Sequence, residues 1–371
     1  MVDERMFHET RSRIDEKVHG LKQENNAEAI QPILEFNQIP TEIKAQLDEY
    51  IIGQEEGKKV LSTAIAFHYK RLGTAIKKEL AENGGDVEKA LKNTNTPKAN
   101  ILIVGPSGCG KTYTSETASN LVGVPFITQD MTKFTEAGYV GQDTSTILSD
   151  LLIAANGNPL LAQMGIVYLD EIDKITSSPS IGRDVSGRGV QNGLLKIVEG
   201  VDNYVDMGGE KVNISTKHVL FIASGAYENL DLIVKNRMQR QGIDSGERWE
   251  DYLLTSDMVN YGMERQLMGR FPVRVVYNPL TSQNLVDIMR ESKNSPLHAY
   301  TDDFKVWGID LDVKPGALEI IADYAELEGT GARGLTSIFN RVLLDDMFKL
   351  PGTYEGTLEI NKEYVEARLK K

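Results

Sequence analysis

The sequence is nearly devoid of cysteine: Cys109 is the only one in 371 residues. One thiol excludes an intramolecular disulfide and any zinc site built on several cysteines. Long hydrophobic runs are missing too, and none approaches the ~18 residues of a membrane helix. The opening residues, MVDERMFHETRSRIDEK, lack the apolar centre of a secretory signal. Positive charge is in deficit, with 41 Lys and Arg against 54 Asp and Glu, a net charge of −13. Binding to a nucleic-acid backbone rests on clustered positive charge, so such a partner is not expected. The expectation is a cytoplasmic globular protein with no membrane partner, and the length admits two or three domains at roughly 100–200 residues each.

Residues 1–38 are polar, with Phe7, Ile14, Val18 and Leu21 at helical spacing. Helices are expected over 41–72, started at Pro40-Thr41 and interrupted at Gly53, followed by a polar surface excursion over 76–98 that contains Gly84-Gly85. Short apolar runs then alternate with helical patterns: Ile101–Val104, Pro125–Thr128, Ile166–Leu169, Val219–Ala223 and Val273–Tyr277. That alternation predicts an α/β fold, a parallel sheet flanked by helices. Beyond Pro279 helical patterns dominate (Gln283–Ser292, Pro315–Glu328, Leu335–Phe348), with short strands at Leu311–Val313 and Thr357–Ile360. The division is a helical arm over 1–40, a large nucleotide-binding domain over 41–279 and a smaller, mostly helical lid over 280–371.

The run Gly105-Pro106-Ser107-Gly108-Cys109-Gly110-Lys111-Thr112 fits G-x-x-x-x-G-K-[ST] between a strand and a helix. Glycines let backbone N–H groups curl around phosphate oxygens, and the helix N-terminus adds positive potential. Lys111 is expected to reach the β- and γ-phosphates of ATP, and the Thr112 hydroxyl to ligate Mg²⁺. Cys109 fills a small-residue position of this loop, and its alkylation is expected to block nucleotide binding sterically. The strand Ile166–Leu169 runs into Asp170-Glu171. In a P-loop protein the carboxylate ending such a strand holds the Mg²⁺ shell, here Asp170, and the adjacent Glu171 is the candidate base for the attacking water.

Together with Asp170-Glu171-Ile172-Asp173-Lys174 and the helical second domain, this P-loop resembles the AAA+ ATPases, specifically the ClpX/HslU branch of protein unfoldases, over roughly residues 40–370. Asp48-Glu49-Tyr50-Ile51-Ile52-Gly53-Gln54 is similar to that branch's adenine-side motif, which implies nucleotide contact at Ile52, and His68-Tyr69-Lys70-Arg71-Leu72 follows as in ClpX. Phe134–Gly141 contains the GYVG pore loop, implying that Tyr139 and Val140 grip substrate polypeptide. Asp184–Gln191 is similar to a second pore segment. Gly269-Arg270-Phe271-Pro272 matches the arginine-finger position, Ser224 the sensor-1 position, and Gly331-Ala332-Arg333-Gly334-Leu335 the sensor-2 motif.

The resemblance implies a ring, expected to be a homohexamer, that hydrolyses ATP and threads protein substrates through its pore. A subunit of an ATP-dependent protease and a nucleic-acid AAA+ motor are the alternatives. Departures bear on that choice. The cysteine count leaves no ClpX-type zinc domain, and only about 25 residues separate Gly141 from Ile166, too few for HslU's inserted domain. The stretch Arg240–Gly246 lacks the Phe of ClpX's peptidase-docking loop, and Ala367–Lys371 is not HslU's apolar tail. Where ClpX has a basic Arg-Lys-His loop at the pore entrance, this chain has Gly208-Gly209-Glu210-Lys211-Val212. These departures favour a stand-alone remodelling chaperone over a protease component with an unfamiliar docking surface.

Overall fold

The computed structural model describes residues 26, 28–135, 143–176, 187–207, 210–244 and 246–369. The sequence-predicted segments Phe7–Leu21, Gly138–Gly141 and Asp184–Ser186 lie outside these residues.

Five strands form one parallel sheet: β1 (Ile101–Val104), β2 (Phe126–Asp130), β3 (Ile166–Asp170), β6 (Leu220–Gly225) and β7 (Val273–Val276), in the order β2-β3-β6-β1-β7. Every residue of β1 and β6 is buried, as strands covered on both faces require. Alternate side chains enter two cores. Leu102, Val104, Val167, Leu169, Phe221 and Ala223 point into one. Ile101, Ile103, Ile166, Tyr168, Leu220 and Ile222 point into the other, which also takes in the helices Pro40–Asp48, Glu55–Glu82 and Lys111–Val122. The hairpin β4 (Asp202–Met207) and β5 (Glu210–Ser215) was not anticipated from the sequence.

A third core gathers Leu285, Ile321, Leu335, Phe339, Val365 and neighbours, all from beyond residue 280. There β8 (Ile309–Val313) and β9 (Gly356–Ile360) pair in parallel among helices. This C-terminal region is tied to the rest of the chain near its start. Ser292 Oγ donates to the Tyr50 carbonyl at 2.7 Å and the Lys293 N–H to that of Glu49 at 3.0 Å.

The stretch 76–98 differs from its expected surface excursion. One helix runs unbroken from Glu55 to Glu82 and buries Ile76. After the Gly84-Gly85 turn, the helix Val87–Asn93 buries Val87, Ala90 and Leu91, with Asp86 Oδ1 capping the Lys89 N–H at 3.0 Å. The buried stripe is only a few residues wide, so the polar majority hides it. Likewise Ile30, Ile33 and Phe36 join the second core rather than standing out in a solvated arm.

Two buried histidines sit between these layers. His68 Nε2 bonds the His218 carbonyl at 3.1 Å, and His218 Nε2 bonds that of Leu91 at 3.0 Å. Burial pushes them down to about 3 and about 4 respectively. Between pH 6.5 and 4 the unfolded chain therefore binds protons that the folded chain refuses, and stability falls as pH falls through that window. Unfolding free energies from denaturant titrations between pH 7 and 4.5 are expected to drop by roughly 1.4 kcal/mol per pH unit for each histidine below pH 6.5. His218→Gln is expected to flatten the slope, and an unchanged slope would contradict this assignment.

Candidate active site

The carboxyl end of the parallel sheet gathers the predicted residues. β1 hands over to the P-loop at Gly105, and the helix Lys111–Val122 begins where Gly108 and Gly110 turn the backbone at φ 75° and 94°. Both values favour glycine. The Lys111 ammonium, almost fully buried, donates to the carbonyls of Gly105 and Pro106 at 2.7 and 2.8 Å. Cys109 turns inward to the second core, and burial pushes its thiol up despite the neighbouring Lys111 and the helix N-terminus. It does not line the cleft, so any steric block by alkylation requires the loop to open first.

Register places the acidic strand end beside the loop. Leu169 of β3 pairs with Ala223 of β6, which brings Asp170 alongside Ser224. The Asp170 carboxylate is held by three donors. Ser224 Oγ donates to Oδ1 at 2.7 Å, Thr112 Oγ1 to Oδ2 at 3.2 Å, and the Glu171 N–H to Oδ1 at 3.0 Å. Behind Ser224, Tyr168 OH donates to its Oγ at 2.7 Å. Sequence reasoning missed Tyr168; the available signal was a tyrosine inside a fully buried apolar strand, whose hydroxyl must find a partner. Glu171 has φ 56°, an uncommon value for a non-glycine residue and one that recurs at active sites. Asp173, quoted above in the resemblance motif without a role, is buried and accepts the Tyr227 N–H at 3.3 Å, joining the turn after β3 to the turn after β6.

A cleft of about 460 Å³ opens between these groups. Ser107, Lys111, Thr112, Asp170 and Glu171 line it, and Arg333 enters from the C-terminal region. The P-loop touches that region directly: the Ala332 N–H donates to the Gly108 carbonyl at 3.1 Å. A Cβ on Gly108 would stand 2.2 Å from the Thr330 carbonyl oxygen, and one on Gly331 would stand 2.6 Å from that of Gly108. Only glycines allow so close an approach, so Arg333 is held to the loop by backbone contact. Asn294 Nδ2 adds a bond to Tyr113 OH at 2.9 Å.

Gly105, Pro106 and Ser224 back the cleft without lining it, and Ile52 and Arg270 stand further apart. Ile52 is half-buried beside Gly53-Gln54, and Gln54 donates to the Cys109 and Asn278 carbonyls at 3.3 and 2.7 Å, linking this segment to the P-loop. Arg270 lies at the opposite end of the sheet. It precedes β7, whose Val273 pairs with Ile101 at the start of β1, while the P-loop follows the end of β1. Its guanidinium donates to Glu199 Oε1 at 2.7 Å. His68 and Tyr69, quoted above for their resemblance, are core groups; Tyr69 OH donates to the Met164 carbonyl at 3.0 Å. Tyr139 and Val140 lie outside the described residues.

A phosphate loop after β1, with acidic residues ending β3 on the far side of β6 and an arginine supplied from beyond residue 280, defines a P-loop ATPase of the AAA+ class. A family model described as AAA domain (Cdc48 subfamily) matches residues 96–274. The sequence is 41% identical to the ATP-dependent Clp protease ATP-binding subunit ClpX of Borrelia duttonii, over 85% of this chain and 75% of that protein. It is 40% identical to ClpX of Treponema denticola, over 91% and 84%, and 38% identical to ClpX of Bacteroides thetaiotaomicron, over 90% and 82%. The chain belongs to the ClpX family of AAA+ proteins. It is an ATPase, and the work coupled to its hydrolysis is protein unfolding.

Proposed function

We propose that the chain assembles into a homohexameric ring and uses Mg-ATP to pull polypeptide through a central pore. The carrying observation is the Asp170 carboxylate, fixed by Thr112, Ser224 and the Glu171 N–H at the mouth of the P-loop. Thr112 Oγ1 and Asp170 Oδ2, 3.2 Å apart, are the hard oxygen donors that suit Mg²⁺. When bound, the metal neutralises charge on the β- and γ-phosphates. Lys111 and the loop N–H groups hold the phosphates, and Glu171 takes the proton of the attacking water. Ile52 contacts the base, and Arg333 carries the state of the cleft into the angle between the region beyond residue 280 and the sheet. Arg270, remote from its own P-loop, serves the site of the neighbouring subunit and stabilises charge on the γ-phosphoryl there.

Tyr139 and Val140 grip the substrate by apolar area rather than by sequence. ATP-dependent unfolding of a stably folded fluorescent protein is the test. Tyr139→Ala is expected to abolish unfolding while ATP turnover persists; equal unfolding by the variant would remove the pore-loop assignment.

A peptidase partner is the second reading. The relatives carry the name of a protease subunit, which favours it, whereas the short Arg240–Gly246 segment without Phe favours stand-alone remodelling. Affinity capture with Glu171→Gln in ATP, followed by mass spectrometry, separates the two by whether a peptidase or one dominant non-peptidase client is recovered.

A further inference from the structure

We infer that Gln191 is a positioning residue for the arginine finger, coupling the acidic turn of one subunit's own site to the Arg270 that it lends to its neighbour. The inference rests on the reading that Arg270 acts across the ring.

Gln191 lies on the core-facing side of the helix Arg188–Val198 with Val190, Leu194 and Ile197, and is completely buried. A polar amide in that setting is costly unless its hydrogen bonds are made. Here they are made, and to two functional segments at once. Its Nε2 donates to the Ile175 carbonyl at 2.9 Å, the last residue of the short 3-10 turn Ile172–Ile175 that directly follows Asp170-Glu171. The same nitrogen donates to the Gly262 carbonyl at 3.2 Å, and Oε1 accepts the Glu264 N–H at 2.7 Å. Gly262 and Glu264 immediately precede the helix Arg265–Met268 that delivers Arg270.

From Glu264 onward the finger segment is bonded without a break. The Met268 N–H donates to the Glu264 carbonyl at 3.0 Å and the Arg270 N–H to that of Leu267 at 2.9 Å. A shift at Ile175 therefore reaches Arg270 through one side chain and one helical turn. The platform helix holds the far end as well. Glu199, which follows it, accepts from the Arg270 guanidinium, and Lys98 Nζ pins the Val198 carbonyl at 3.0 Å. On the exposed side, Arg188 pairs with Glu264 at 2.9 Å. Gln191 is the member of this set that touches both the turn after the catalytic carboxylates and the finger segment.

Gln191→Met keeps the side chain's length and removes all three bonds. In a Glu171→Gln background it makes a subunit whose own hydrolysis is strongly slowed but which still presents Arg270. Mixed in excess with wild-type subunits, this double variant is read by the ATP turnover of the wild-type sites. The expected result, relative to mixing with Glu171→Gln alone, is a fall in kcat on the order of tenfold or more with KM unchanged, because ångström-scale misplacement of a catalytic group costs up to ~100-fold. Glu171→Gln/Arg270→Ala subunits give the reference loss. If that reference leaves turnover unchanged, the trans reading falls and this inference with it. If the reference lowers turnover while Gln191→Met matches Glu171→Gln alone, Gln191 only packs, and the inference alone is overturned. Should Gln191→Met fail to fold, Glu264→Pro serves instead. The φ of −67° at Glu264 already suits proline, which deletes the one N–H that Gln191 Oε1 accepts, and Glu264→Ala is its control.

Discussion

Glu171→Gln is expected to bind ATP as the wild type does and to hydrolyse it on the order of 10²–10⁴ times more slowly, the usual contribution of a positioned general base. The substitution preserves size and backbone, so the left-handed turn at Glu171 and the bond from its N–H to Asp170 survive. Binding depends on other groups: the loop N–H donors, Lys111 and the Thr112–Asp170 pair. Single-turnover hydrolysis and equilibrium nucleotide binding, measured on the same preparation, check both halves. Normal turnover by the variant would show that another group activates the water. Loss of binding would show that Glu171 belongs to the nucleotide cradle.

Arg270→Ala is expected to cost more, on the order of 10³–10⁵ in kcat, as arginine fingers supplied from outside a site do. Its present partner does not compete strongly with that role. The ion pair with Glu199 is about half exposed on the arginine side, and exposed pairs contribute little to stability. The thermal midpoint should therefore hardly move while turnover collapses. A large fall in stability with proportionate loss of activity would instead make Arg270 a structural residue. Because Arg270 and the P-loop of one chain sit at opposite ends of β1 and β7, the guanidinium does not reach the P-loop of its own subunit.

The phosphate-loop half of the candidate site was legible in the sequence because its residues are local. A phosphate loop is eight consecutive residues between a strand and a helix, and Asp170-Glu171 follows an uninterrupted apolar run. The three inner strands, β1, β3 and β6, were legible for the same reason, since a strand buried on both faces has no polar alternation to confuse it. The bonding roles of Tyr168, Asp173, Gln191 and Gln54 were not legible. Each acts through a partner distant in sequence: Tyr168 through Ser224, Asp173 through Tyr227, Gln191 through Gly262 and Glu264, and Gln54 through Asn278. Nothing in a one-dimensional pattern brings those pairs together before the sheet register is known. The helix Val87–Asn93 escaped for a different reason, its core face being only Val87, Ala90 and Leu91 among two lysines, a glutamate and an asparagine. The approach of Gly331 to Gly108 sharpens the sensor-2 assignment, since both glycines carry meaning only as a pair.

The central claim is that each ATP site is completed by the neighbouring subunit. Its most direct test is to mix two inactive proteins, Glu171→Gln and Arg270→Ala, and to measure ATP turnover. Where an Arg270→Ala subunit meets a Glu171→Gln neighbour, an intact Glu171 faces an intact Arg270 across the interface, and turnover should reappear in the mixture. Two proteins that stay silent when mixed, under conditions where subunit exchange is demonstrated, would contradict the account.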